Sequence, residues 1–255
     1  VARVAFRPLA QVVSLWAVTL CLQAQVNIRD SVVRSVVFAP TGSFYLPMAS
    51  LHNRTGLFYG VGGSIFYKTS RNFYWEISGA FLTGNRIREK DALMRLATDD
   101  GFIIAQDGGF ADVRLLFRGW EAFFSLGKQI VRIGPNPNCG LYLKAGLGWM
   151  GHKIRIEVQN NNVPALQGDY IKGYDRLRAG LGLSQEIGYI FFSNNKRLTF
   201  RTALFVNEAF TRSLRGFNYD SGLPDEQAYT DVVAGLRLAW LIAAYIRPAE
   251  VYYTR

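Results

Sequence analysis

The chain has 255 residues, enough for one large β domain or two ordinary ones, and 49% of them are hydrophobic and 14% aromatic. Its mean hydropathy is close to zero, so the apolar residues are dispersed; beyond the N-terminus the longest unbroken apolar run is 238–246, far short of the roughly 20 residues of a membrane-spanning helix. The formal net charge of +10 is scattered, without the concentrated stripe of a nucleic-acid-binding face, so nucleic acid is excluded as an expected partner.

Residues 1–24 read as a secretory signal peptide. Arg3 and Arg7 precede an apolar core at 9–22, and Ala24 is small enough for cleavage before Gln25. Cys139 is then the only cysteine left in residues 25–255, so the exported domain is expected to hold no internal disulfide.

A first strand is expected within 31–51, where Pro40 and Pro47 would each remove a ladder donor. Residues 57–68 place Leu57, Tyr59, Val61, Ile65 and Tyr67 on one face and Gly60, Gly62 and Ser64 on the other. After a tight turn at 69–72, residues 73–82 return with Phe73, Trp75, Ile77 and Phe81 opposite Glu76 and Ser78. A long polar excursion over 84–109 follows, with a short helix expected near 91–97. Residues 110–130 change parity, from Val113, Leu115 and Phe117 to Trp120, Ala122, Phe124, Leu126 and Ile130. A bulge near Gly119 would reconcile the two.

The turn at 134–140 leads to Leu141, Leu143, Ala145, Leu147 and Trp149, which alternate with Tyr142, Lys144, Gly146 and Gly148; 153–158 would extend this hairpin above a membrane. A second long loop spans 160–174. The strand from Leu177 then alternates Leu181, Leu183, Ile187 and Tyr189 with Gly180, Gly182, Ser184, Glu186 and Gly188. A turn at 193–196, a strand at 198–207, a third long loop at 211–228 and a closing strand at 230–245 complete the chain. That last strand sets Val232, Ala234, Leu236, Leu238 and Trp240 against Val233, Gly235, Arg237 and Ala239.

Period two puts these sets on opposite faces of strands. A soluble sandwich would fill its non-apolar face with Lys, Glu, Thr and Ser, whereas here that face is Gly with single charges. Such a face suits a crowded barrel interior, with the apolar face turned to lipid. Connections after the second, fourth and sixth strands are short and those after the third, fifth and seventh long, the asymmetry of outer-membrane barrels. The expected fold is therefore all-β: an antiparallel up-and-down transmembrane β-barrel of eight strands, with long extracellular loops. Ten strands is the alternative, because the first outside connection, 52–56, is short. Tyr59, Tyr67, Phe73, Trp75, Trp120, Trp149, Tyr189, Phe191, Trp240 and Tyr245 suit interfacial girdles.

The run 134–157, the segment from Gly168-Asp169-Tyr170 through Gly173-Tyr174-Asp175-Arg176-Leu177, and 210–220 resemble a family of outer-membrane β-barrel proteins from Bacteroidetes. The resemblance covers about 38–253 and extends to the Arg247-Pro248 pair and aromatic tail Val251-Tyr252-Tyr253. It implies a barrel in the outer membrane of a Gram-negative bacterium, and no particular activity.

With the faces assigned in this way, Glu76, Asp112, Arg114, Arg118, Lys144, Arg178, Glu186, Arg201 and Arg237 are expected to form a lumen charge network. Eight strands leave room only for side chains, and buried charges need partners, so these residues read first as a polar plug. A structural or interaction role in the envelope follows, through the outside loops or within a larger assembly. The expected partners are outer-membrane lipid and lipopolysaccharide, the barrel assembly machinery during insertion, and an envelope protein complex. The basic excess of that set allows an alternative reading, a narrow conduit for small solutes or anions.

A lipid-modifying hydrolase would rest on His152 near the outside rim with Lys153, Arg155 and Glu157, but no Ser is visibly placed as nucleophile. His52 is the other rim histidine. Asp99-Asp100, Asp107, Asp220 and Asp225-Glu226 are the carboxylates available for Ca²⁺, without the 12-residue helix-loop pattern. The glycine runs at 60–63 and 180–182 lie inside strands and are not phosphate cradles. No cofactor is expected. Arg86, Arg88, Lys90, Lys172, Arg212 and Arg215 are loop cations suited to anionic sugar headgroups.

Overall fold

A computed structural model describes residues 28–89, 91–159 and 163–246. The expected secretory segment, Lys90, part of the second long loop and the tail beyond Ile246 lie outside the described residues.

The strands are β1 (Arg34–Met48), β2 (Phe58–Lys68), β3 (Phe73–Gly84), β4 (Val113–Arg132), β5 (Gly140–Val158), β6 (Arg178–Phe192), β7 (Thr199–Ser213), β8 (Ala228–Trp240) and β9 (Ile242–Ile246). From β1 to β8 each pairs antiparallel with its neighbour in sequence, and β1 closes the ring by pairing with β2 on one side and with β8 and β9 on the other. β8 and β9 keep one register against β1, from Thr41 opposite Ala239 to Phe38 opposite Ile242. They are one strand interrupted where Pro40, which has no N–H, stands opposite Trp240. The barrel therefore has eight strands, and the ten-strand alternative is set aside.

Directly opposed residues trace the tilt of the wall. From Phe73 the path runs through Lys128, Leu143, Ile187, Leu204, Leu236, Phe44 and Tyr59, and it returns to β3 at Thr83, ten residues on. Strand number and stagger together set the bore, and eight strands leave an interior that side chains fill.

The filling is layered. At the end with the short turns, Val37, Phe66, Tyr74, Tyr142, Ile190 and Phe192 pack with Ile28, Val33 and Cys139. Asn138 clamps the segment before β1 there, accepting from Val33 N at 3.0 Å and donating to Ser31 O at 2.9 Å. Beyond a charged middle, Tyr45, Phe58, Leu82, Phe117, Met150 and Phe205 form a second apolar layer under a short helix, α1 (Ala49–Arg54), whose Leu51 joins it. Leu93, Ile154, Ile156, Val163, Leu166 and Tyr174 form a third among the long loops. Every long connection lies at that end.

β4 runs through Gly119 in unbroken register, Arg118 opposite Lys153 and Trp120 opposite Gly151; the register shift lies between Gln129 and Val131. The expected bulge near Gly119 is thereby corrected. Its apparent need came from Val113, Leu115 and Phe117, which point inward because the inner face of this end of β4 packs under the loops. The expected helix near 91–97 is a single 3-10 turn, Met94–Leu96. Tyr245, assigned to a girdle, packs instead against the lower apolar layer.

The outer face is apolar and open. Ile77 and Val61 are each 68% exposed and Phe81 77%; Gln185 and Glu208 are polar exceptions on it. Inside, glycine is needed where the wall meets its filling: a Cβ on Gly235 would lie 2.1 Å from the Phe44 carbonyl and 2.5 Å from the Phe205 ring. Gly235→Val is expected to abolish refolding, and Gly42→Ala, with nothing within 4 Å of its added Cβ, to leave it unchanged. Near-UV circular dichroism after dilution from urea reads both.

Candidate functional site

The middle of the lumen is a network of three carboxylates and three cations. Glu76 takes Arg201 at 2.5 and 2.9 Å and Lys144 at 2.9 Å. Lys144 also reaches Glu186 at 3.1 Å, and Arg237 joins Glu186 at 2.8 Å to Glu121 at 2.9 Å. Neutral groups complete the shell. Tyr45 and Asn207 donate to Glu121 at 2.7 and 2.9 Å, the Tyr142 hydroxyl donates to Glu186, and Arg237 Nε donates to Ser43 at 3.2 Å. These side chains come from seven strands; Glu76–Arg201 and Glu121–Arg237 tie together distant parts of the wall, whereas Lys144 and Glu186 are direct neighbours across the β5–β6 ladder.

Of the nine residues expected in the lumen, the structure brings Glu76, Lys144, Glu186, Arg201 and Arg237 together. Arg178 also points inward but lies at the loop end, its guanidinium 3.4 Å above the Tyr229 ring and 3.8 Å from Asp225. The other three are corrected. Arg114 and Arg118 stand on the outer face, and Asp112 precedes β4 with Arg114 as its partner at 3.3 Å. The assumed bulge had inverted the parity of that end of β4. Reading the alternation straight through from Trp120 turns Arg118 outward; Glu121, the carboxylate that the sequence reasoning left out, faces inward by the parity of Trp120 and Ala122 with or without the bulge. With Glu121 included, three acids balance three bases, and the basic excess expected of the lumen is absent from this network.

Between the second apolar layer and the loops, Asp231 collects His152 Nε2 at 2.9 Å, Thr211 at 2.5 Å and Ser50 at 2.7 Å. The expectation that His152 sits at the rim with Lys153, Arg155 and Glu157 is corrected. His152 is 1% exposed and faces inward, while Lys153 and Arg155 face out. Ser50 bonds the carboxylate, not the imidazole, and the imidazole Nδ1 has no partner among the described residues. A nucleophile must lie within hydrogen-bond reach of its base, and this cluster does not supply one.

At the loop end a polar cleft of about 520 Å³ is lined by Arg54, Arg88, Glu89, Arg176, Arg178, Asp225 and Tyr229, among others. Arg176 gathers the carboxylates, with Glu89 at 2.6 Å, Asp220 at 2.8 Å and Asp91 at 3.3 Å. Burial works against its charge, but Glu89 and Asp220 hold its guanidinium well above the usual value. Arg54 reaches Glu89 only at 3.7 Å, and burial draws its guanidinium down to about 10. Arg215 and Asp175 pair at 2.5 and 2.8 Å beside the cleft, and Arg88 contacts His52. The loops are thus cross-linked by ion pairs into one rim. Among the described residues no cluster of His, Cys, Asp and Glu has the geometry to hold a metal ion.

Removing one partner of a buried pair strands the other, at a cost of about 3–5 kcal/mol. Arg201→Met is expected to lose about that much unfolding free energy in urea titration, and Arg114→Gln, on the open outer face, less than about 0.5 kcal/mol.

No family model and no curated protein matches the chain. Among solved structures it is similar to Ail, the attachment invasion locus protein of Yersinia pestis, in complex with the heparin analogue sucrose octasulfate, at 12% identity and a TM-score of 0.40, covering 82% of this chain and 97% of that one. It is also similar to Neisserial surface protein A, at 9% identity and a TM-score of 0.38, covering 80% and 96%. The fold itself rests on the ring of strand pairings described above.

Proposed function

We propose that this chain is an outer-membrane barrel of a Gram-negative envelope, with a plugged lumen and a structural or interaction role exercised through its outer rim or within a larger membrane assembly. The observation that carries this reading is the outer face. On β3 the outward residues are apolar or small over 73–81, on β5 over 141–149, and on β4 over 120–130 with Lys128 as the exception near the lower end. These lengths match the ~9–11 residues with which a tilted strand crosses a bilayer. Aromatics stand at the ends of the runs, Phe73, Trp75, Tyr189 and Phe200 at the short-turn end and Trp120, Trp149 and Phe210 at the other, as interfacial girdles do. In water such a face would be an apolar patch encircling the molecule, far larger than a soluble monomer tolerates. The resemblance to the Bacteroidetes family supports the same location.

The lumen supports a plug over a conduit. Apolar layers lie on both sides of the ion network, and the network is balanced in charge, so neither an aqueous path nor a selective cation excess favours anion passage. The rim, held by Arg176, Arg54 and Arg215, offers a fixed polar surface to a protein partner, while lipid and lipopolysaccharide contact the wall. Insertion of such a barrel calls on the assembly machinery of the outer membrane. The His152–Asp231 cluster, in which Ser50 and Thr211 bond the carboxylate and not the imidazole, supports a non-enzymatic reading.

Three measurements test this. Protein extracted from an outer-membrane fraction in detergent is expected to run as a compact band unheated and to slow on heating; free solubility with unchanged mobility would overturn the membrane reading. In planar bilayers the purified protein is expected to give no conductance steps, and steady unitary currents would replace the plug with a conduit. Ile77→Arg, at mid-wall, is expected to cost about 2–4 kcal/mol of stability in lipid, whereas a water-facing position would tolerate it within about 0.5 kcal/mol.

A further inference from the structure

A groove of about 640 Å³ runs along the outer wall across β2 to β5, outside the lumen, and reaches Ile171 and Asp175 of the loop before β6. Its floor includes Val61 and Phe81, and its upper edge carries Arg118, Lys153 and Arg155. The register fixes how these parts relate. One row of opposed residues reads Val61, Phe81, Trp120, Gly151, and the next row toward the loops reads Tyr59, Thr83, Arg118, Lys153. Rows two residues apart are separated by roughly 7 Å along the strands, so the two cations begin where the apolar wall ends.

Arg118 and Lys153 face each other directly across the ladder, an arrangement that destabilises an antiparallel pair unless something neutralises it. The chain does this poorly. Among the described residues Arg118 donates only to neutral oxygens, Thr83 Oγ1 at 2.7 Å and Phe117 O at 2.9 Å among them. Lys153 approaches Asp175 no closer than 4.0 Å, and that carboxylate is already taken by Arg215 at 2.5 and 2.8 Å. The adjacent outward arginines differ in this respect. Arg114 has Asp112 at 3.3 Å, and Arg155 has Glu157 at 2.9 Å. Beside the pair, Gly151 presents no side chain next to the Trp120 indole, where an added Cβ would lie 3.0 Å from Nε1. The Trp120 indole thus packs over Gly151, one row below the two cations.

We propose that this groove holds a phosphorylated lipid of the outer leaflet, its phosphate between Arg118 and Lys153 and an acyl chain along Phe81 and Val61. The inference rests on the membrane-spanning reading. A lipid, and not free phosphate, is the occupant because the cations open onto an apolar floor continuous with the belt, a surface that only a ligand with a hydrocarbon part covers. The phosphate neutralises the opposed cations at the depth where headgroups begin.

The test is native mass spectrometry of the full chain in zwitterionic detergent, with three probes: bis-phosphorylated lipid A, its dephosphorylated form, and inorganic phosphate. The native protein and Arg114→Gln are expected to retain one lipid A. Arg118→Gln/Lys153→Gln, and the dephosphorylated probe on the native protein, are expected to bind at least ten-fold more weakly. Equal retention by the double variant, or equal binding of the dephosphorylated lipid, overturns the proposal. Inorganic phosphate binding as tightly as lipid A overturns the lipid as occupant. Should the double variant fail to fold, the dephosphorylated probe on the native protein decides alone. Heat-modifiable mobility separates the two readings: a barrel that shifts on heating yet ignores the phosphate loses only this inference, and one that does not shift loses the membrane reading as well.

Discussion

The narrow bore is the constraint from which the other features follow. Eight strands closed with a ten-residue stagger leave an interior that side chains fill, so whatever points inward must pack or pair with other inward groups. That explains Gly182 of β6, set against the Phe123 ring that reaches it from β4, and it explains the central network. Three carboxylates taken out of water would each cost several kcal/mol if left alone. Here Glu76, Glu121 and Glu186 are each contacted by at least one of Arg201, Lys144 and Arg237, and by hydroxyls or an amide where the cations do not reach. A network of this kind has little tolerance for partial satisfaction. It also ties wall to wall, because its members lie far apart in sequence.

The same bore sorts function to the surfaces. With the lumen filled, what remains accessible is the belt, the groove where the belt meets the loops, and the rim. The rim is built mainly from charge. Arg176 alone holds three carboxylates from two loops, and Arg215 draws the loop after β7 onto the one before β6. Beneath it, the apolar cluster around Ile154, Ile156 and Leu166 gives the loops a core of their own. Ordered loops on a rigid wall are the usual bearers of binding function, and the ion pairs here supply that order.

Most of the fold was legible because side-chain alternation is a local signal. In β2, β3, β5, β6 and β8 the parity read from the sequence is the parity of the barrel, and with it the inward placement of Glu76, Lys144, Glu186 and Arg237; Arg201 on β7 also faces inward as read. The reading failed on β4, where apolar residues occupy the outer face beside Trp120 and the inner face beside Phe117. Hydrophobicity reports burial by lipid and burial by protein alike, and β4 passes from one to the other. A bulge was the economical explanation of that switch in the sequence, and it placed Arg114 and Arg118 on the wrong side; Glu121, inward by the parity of Trp120 and Ala122 in either case, was simply overlooked. The rim pairs were illegible for a different reason: Arg176 with Glu89, Asp91 and Asp220 joins segments whose loop conformations no short-range pattern encodes. The N-terminal limit of β1 and the break at Leu241 depend on Asn138 and Pro40 acting across the ring, contacts that become visible only once the strands are in place.

The interruption opposite Pro40 bears on how the ring is made. Seven of the eight strand pairings join neighbours along the chain and can zip from their turns, whereas the seam between β1 and the β8–β9 strand joins residues some two hundred positions apart. Loop closure makes such a pairing slow, and the missing donor removes a bond from its middle. The seam is thus the natural last step of assembly: a curled sheet whose two edges find each other only after the central ions have drawn the wall into register, and the first place where the finished ring would breathe.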